Sequence, residues 1–125
     1  MNRLVPPPAC TPKPGLKQRP LMSHEQALAL ENLFVVLAND TRLRLLHELA
    51  RQGEACTSEL ADALELKPQA VSNQLARLQD KGIVARRRVG NHVPYRIVDS
   101  CVAILLERGL CLIEETARIA PDVGS

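Results

Sequence analysis

The sequence is short of aromatic side chains, with one Phe, one Tyr and no Trp in 125 residues. Its core must therefore be Leu, Ala, Val and Ile packed largely on helices, which disfavours a β-sandwich. No apolar run approaches the roughly 20 residues that a membrane-spanning helix needs, and the N-terminus lacks the continuous apolar stretch of a secretory signal. A cytoplasmic protein without membrane attachment is expected. The four cysteines, Cys10, Cys56, Cys101 and Cys111, lie far apart, and a chain of this size with a full apolar core folds without disulfides, so reduced thiols are expected. There is length for one compact domain but none for a large cofactor-binding α/β enzyme. No nucleophile–base pair, phosphate-binding glycine loop or multi-histidine site is present, which argues against an enzyme and against an organic cofactor.

Net charge is also nearly missing, 16 basic against 14 acidic residues, or +2. Its distribution is uneven. Residues 1–22 carry Arg3, Lys13, Lys17 and Arg19 and no acid, whereas residues 23–66 set three arginines against eight acids. Residues 67–98 hold seven basic residues against Asp80 alone, and the segment from 99 onward is acidic again. A basic central segment between acidic ones is the electrostatic footprint of a nucleic-acid-binding surface, although a solvated basic face has the same composition.

Six of the nine prolines fall in the first 20 residues. With almost nothing to bury, residues 1–22 read as a flexible Pro-rich basic arm; residues 23–120 form the folded domain and 121–125 a tail. Ser23-His24-Glu25-Gln26 has capping-box spacing, and a helix should run from there to Ala38. Its apolar residues Leu28, Leu30, Leu33, Phe34, Val36 and Leu37 cover much of its circumference, which suits packing on two sides. Asn39-Asp40-Thr41 caps a second helix, from Arg42 to about Arg51, that Gly53 ends. Thr57 to Leu64 reads as a third helix with Leu60, Ala61 and Leu64 inward. Pro68 opens a fourth, which runs to about Lys81 with Val71, Leu75 and Leu78 inward.

The outer face of the fourth helix, after Lys67, shows Gln69, Ala70, Ser72, Asn73, Gln74 and Arg77. Small uncharged polar groups are a poor choice for mere solubility but suit the reading of base edges, since Gln and Asn pair a donor with an acceptor. Residues 83–89 and 93–98 flank Gly90-Asn91, a turn pair that tolerates positive φ, and read as a β-hairpin. Arg86, Arg87, Arg88, Asn91 and His92 on it could grip phosphates beside the groove. Asp99 or Ser100 caps a last helix to about Ile119, too apolar for one buried face and suited to a dimer interface. Two short helices joined by a tight turn, then a basic hairpin, describe a mainly α fold with a β-hairpin wing: a homodimeric winged helix-turn-helix.

Asn39-Asp40-Thr41-Arg42-Leu43-Arg44-Leu45-Leu46, Glu59-Leu60-Ala61, Val71-Ser72-Asn73-Gln74-Leu75, Gly82-Ile83-Val84 and Tyr95-Arg96-Ile97, in this order, resemble the ArsR/SmtB metal-responsive repressors. The resemblance covers about residues 25–115. It implies a homodimer on an imperfect inverted repeat of double-stranded operator DNA, released when an inducer ion binds. At the third helix the family's arsenic and heavy-metal sensors carry a Glu-Leu-Cys-Val-Cys-Asp-Leu pattern. Here Cys56 keeps the first thiol and Ser58 replaces the second, and Cys10 of the arm is a candidate to complete the site. At the last helix the resemblance places Asp99 and Cys101, then Leu112 and Glu115, on the family's zinc ligands, with Cys111 one residue off register.

Within one helix Cys101 and Cys111, ten residues apart, stand about 15 Å from each other and cannot share an ion. Across an antiparallel helix pair, Cys101 of one chain could meet Cys111 of the other. Thiolates without imidazole select soft ions, so the expected inducer is Hg(II) first, then As(III), with Cd(II) or Pb(II) as further choices. Each cysteine can also be read as a small buried hydrophobe. Two alternatives stay open: a thiol–disulfide switch formed by Cys101 and Cys111, and a winged-helix protein-interaction module whose basic face meets an acidic partner.

Overall fold

The computed structural model describes residues 12–119, with side chains to residue 117. Five helices and one hairpin follow each other as α1 (His24–Leu37), α2 (Asp40–Gln52), α3 (Thr57–Leu64), α4 (Pro68–Asp80), β1 (Val84–Arg86), β2 (Tyr95–Ile97) and α5 (Ser100–Ile119). Residues 12–22 are exposed and hold only a 3-10 turn, Leu16–Gln18.

Local chemistry sets most boundaries. The expected capping box is made: the Gln26 amide donates to Ser23 Oγ at 3.1 Å and the Ser23 amide to Gln26 Oε1 at 2.8 Å. Helix α2 begins two residues before the expected Arg42, because Asn39 alone is the cap, its Oδ1 accepting from the Arg42 amide at 3.0 Å. Gly53, at φ 85°, ends α2 in a conformation that a Cβ would strain. Glu65 occupies the left-handed region at φ 58° and closes α3, and Lys67 leads into Pro68 at the head of α4. The last helix takes Asp99 as its cap, with Oδ1 accepting from the Cys101 amide at 2.8 Å.

The core fills the angle between α2, α3, α4 and the hairpin root. Leu45, Leu46 and Leu49 of α2 meet Leu60 and Leu64 of α3, Val71, Leu75 and Leu78 of α4, and Val84, Tyr95 and Ile97 of the strands. The inward residues expected of α3 and α4 are all buried. Leu43, expected to recur with the apolar face of α2, is 38% exposed, because it points away from this core.

The hairpin is narrower than expected. Strands β1 and β2 pair antiparallel over three residues each, Val84 with Ile97, Ala85 with Arg96 and Arg86 with Tyr95. Pro94 has no amide hydrogen, so opposite it the ladder keeps only the bond from the Arg87 amide to the Pro94 carbonyl, and two-way pairing resumes at the tip. There the amides of Val89 and His92 each donate to the other's carbonyl, at 2.8 and 2.9 Å. Of the two tip residues only Gly90 has positive φ, at 62°, so Asn91 does not use its tolerance for that region. A third segment joins the sheet: Ala55 pairs with Tyr95 through hydrogen bonds of 3.1 and 2.9 Å.

Candidate nucleic-acid interface

Helices α3 and α4 form the two arms of a helix-turn-helix. The turn is short, Glu65 to Lys67, and the Leu66 amide donates back to the Ala61 carbonyl at 2.9 Å. Because Val71, Leu75 and Leu78 are held in the core, the opposite face of α4 is fixed toward solvent. Lys67, Gln69, Ala70, Asn73 and Arg77 are exposed there, and Ser72 is half-buried. Gln69 Nε2 donates to Asn73 Oδ1 at 3.0 Å, one helical turn on. On the wing, Arg86, Arg88, Asn91 and His92 are exposed. Helix α4 packs directly on β1, so the outward face of α4 and the wing belong to neighbouring elements of the fold.

Two residues expected on this surface are committed to the protein itself. Gln74 Oε1 accepts from Arg42 Nε at 2.8 Å, and the side chain is half-buried against α2, so its amide oxygen is not presented to a groove. Arg87 closes on Glu54, Nε to Oε2 at 3.0 Å and Nη2 to Oε1 at 3.1 Å. Hydrogen bonding to Glu54, then its negative charge, raises the Arg87 pKa above the ordinary guanidinium value. Arg87, expected among the groups that could grip phosphates, therefore has two of its donors already taken by a carboxylate, while its side chain stays half-exposed.

Arg42 and Glu54 are the residues that sequence reasoning missed. Arg42 sits in the first turn of α2, where it reads as a solvated cation, yet Nη1 also donates to the Val36 carbonyl at 2.8 Å and so ties down the end of α1. Glu54 reads as part of a polar link, yet it is the buried charged residue of the described chain, 6% exposed. No local pattern marks either.

The thiols are scattered. Cys56 is half-buried at the head of α3, where its amide donates to Glu59 Oε1 at 2.8 Å. It lines an open groove of about 540 Å³ between α3 and the wing, with Glu54, Ser58, Arg87, His92 and Pro94. Cys111 is a free, exposed thiol on α5. Cys101, exposed in the first turn of α5 and outside the core, is disulfide-bonded, which corrects the expectation of reduced thiols throughout. Cys10 lies outside the described residues. Among the described residues no three His, Cys, Asp or Glu side chains gather to hold a metal ion.

A second groove, of about 650 Å³, runs between α1, α2 and α5 and is mainly apolar, with Phe34, Leu43, Leu106, Leu110 and Ile113 in its walls beside His47. Leu28, Leu30, Ile104 and Leu112 extend exposed apolar surface along α1 and α5. No helix among the described residues is long and apolar enough to cross a membrane.

Comparison with known proteins agrees with this geometry. Residues 39–86 match the family described as bacterial regulatory protein, arsR family. A crystal structure of the AntR antimony-specific transcriptional repressor superposes with a TM-score of 0.73 at 56% identity, covering 87% of this chain and 98% of that one. A homodimeric winged helix-turn-helix DNA-binding domain from Mycobacterium bovis gives 0.65 at 32% identity, covering 76% and 90%. The arsenic resistance regulator ArsR1 of Pseudomonas putida is 46% identical over 65 residues, 52% of this chain and 51% of that protein. The chain spans about half to two thirds, 51% and 64%, of the length of the first curated relatives it matches. The winged helix-turn-helix architecture, the order of its motifs and these similarities together establish that the chain belongs to the ArsR family of bacterial regulatory proteins, a family of transcriptional regulators and not of enzymes.

Proposed function

We propose that the protein is a transcriptional repressor that binds an inverted-repeat operator as a homodimer and is released when a thiophilic ion binds its cysteines. The observation that carries the reading is the outward face of α4, whose Gln69 and Asn73 amides and Arg77 guanidinium stand exposed, followed in the chain by a wing with exposed Arg86 and Arg88. An α-helix with such groups fits the major groove, and the wing cations fit the flanking backbone. Two-fold pairing through the apolar faces of α1 and α5 would set two such helices about one DNA turn apart. The homodimeric state of the Mycobacterium bovis domain supports that pairing.

The cysteines supply soft donors. Cys101 of one protomer and the partner's Cys111 are the pair that antiparallel packing of α5 would bring together, with Cys56 and Cys10 as candidates for a second site. Sequence chemistry alone favours Hg(II). Similarity to the antimony-specific repressor and to the arsenic regulator brings Sb(III) and As(III) to the front, ahead of Hg(II), Cd(II) and Pb(II). One observation bears on a second reading: Cys101 is disulfide-bonded while Cys111 is a free thiol, so a redox signal would run through Cys101 but not through the Cys101–Cys111 pair expected from the sequence.

Fluorescence anisotropy with an operator duplex tests both. Reduced protein, titrated separately with Sb(III), As(III), Hg(II), Cd(II), Zn(II) and peroxide, should release DNA with the thiophilic ions. Cys101→Ser and Cys111→Ser should each abolish that response without weakening DNA binding. Release by none of the ions refutes the metal reading, and release by peroxide alone selects the redox one.

A further inference from the structure

We propose that Arg87 is a positioning residue that fixes the wing from beneath through Glu54, and that it makes no phosphate contact of its own. The inference rests on the DNA-binding reading above and assigns one of its central basic residues a different task. Glu54 lies in the link between α2 and α3, almost entirely buried, and its two carboxylate oxygens each take one donor of the Arg87 fork. Such bidentate pairing fixes direction as well as distance.

The backbone on either side locks both partners. Next to Glu54, Ala55 is hydrogen-bonded in both directions to Tyr95 of β2. The Arg87 amide donates to the Pro94 carbonyl at 3.1 Å, at the point where the ladder of β1 and β2 stops. The clasp therefore spans the weakest part of the hairpin, between the paired root and the Val89–His92 closure. Arg86 and Arg88 flank it and remain exposed. The Arg87 charge is met by a carboxylate of the protein itself, so neutralising it again with a phosphate is not what the pair is built for, whereas an exposed arginine that neutralises a phosphate releases a counterion.

This separates the two roles by sign. Removing a negative charge from a DNA-binding face ordinarily tightens binding. If Glu54 holds the wing, Glu54→Gln weakens it instead, roughly tenfold. The experiment uses the full chain and a duplex selected from random-sequence DNA by the wild-type protein, with affinity measured across a salt series. Glu54→Gln and Arg87→Gln should each lose roughly tenfold with the salt slope unchanged, while Arg88→Gln should lower the slope by about 0.9 for each phosphate that it no longer neutralises. Amide hydrogen exchange without DNA should quicken at Arg87, Val89 and Tyr95 in both clasp variants.

Tighter or unchanged binding by Glu54→Gln overturns the proposal, as does a slope for Arg87→Gln that falls like that of Arg88→Gln. Unchanged exchange at the three wing amides overturns it as well. Arg87 is half-exposed, so Arg87→Gln carries the test should Glu54→Gln fail to fold. If the wild-type protein selects no DNA, the functional reading fails, and the exchange measurement still decides whether Glu54 holds the wing.

Discussion

Arg42 Nε donates to Gln74 Oε1 at 2.8 Å, across 32 residues of sequence, and joins the start of α2 to the middle of α4. The same guanidinium reaches the Val36 carbonyl in the last turn of α1. One side chain thus links a helix with an exposed apolar face to the helix that presents Gln69 and Asn73. The relationship predicts that Arg42→Ala lowers stability by about 1–3 kcal/mol, because it strands a half-buried acceptor on α4 and a carbonyl on α1. Urea denaturation of Arg42→Ala, Gln74→Ala and the double variant should give a coupling energy above about 0.5 kcal/mol, and additive losses would deny the hydrogen bond any weight.

Leu75 is fully buried, one turn of α4 from Leu78 and facing α2 and α3. Leu75→Ala should cost about 2–5 kcal/mol through reduced burial and an incompletely collapsed cavity. Loss of cooperative unfolding or a lower denaturation midpoint in urea measures this. An effect under about 1 kcal/mol would mean that α4 is seated otherwise.

The helices that carry this core were legible because each has a chemical signal at its ends: Ser23 and Gln26, Asn39, Gly53, Pro68. The face of α4 was legible for the same reason, since Val71, Leu75 and Leu78 mark one side and leave the other to Gln69 and Asn73. What the residues did not reveal are bonds between distant segments. Glu54 and Arg87 are 33 residues apart, and Glu54 sits in a link of Gly, Glu, Ala and Cys that resembles any polar loop. Its burial follows from the strand-like pairing of Ala55 with Tyr95, which no periodicity announces. The oxidised state of Cys101 likewise depends on which thiols meet in space.

Gly90 isolates a backbone effect. A Cβ built there meets nothing within 4 Å, so any cost of substitution comes from φ +62° alone. Gly90→Val should cost about 1–2 kcal/mol, and Gly90→Asn less, since Asn tolerates the left-handed region. Comparing the two by chemical denaturation checks this; equal losses would point to a packing effect.

The mainly apolar groove of α1, α2 and α5 gives a prediction about assembly. Leu110 stands half-exposed in its wall, and Leu110→Glu would place a charge on the surface that a second copy covers in the proposed homodimer. Sedimentation should show the variant as a monomer where the wild type is a dimer, with intact helical content by circular dichroism. Its affinity for a two-half-site operator should fall by about 100-fold or more, since the second reading head no longer arrives tethered to the first. A variant that stays dimeric would move the interface elsewhere.

The pairing of Ala55 with Tyr95 has a mechanical consequence. It plants the base of the hairpin among Val84, Tyr95 and Ile97, so the wing is a lever with its fulcrum inside the core and only its outer few residues free to swing. With at most about 3.3 Å of reach for each extended residue, the tip at Gly90 lies five residues out from Tyr95, at the end of an arm of at most about 16 Å. The Glu54–Arg87 pair stands between that fulcrum and the tip, so whatever travel the wing has is confined to the turn from Arg88 to His92.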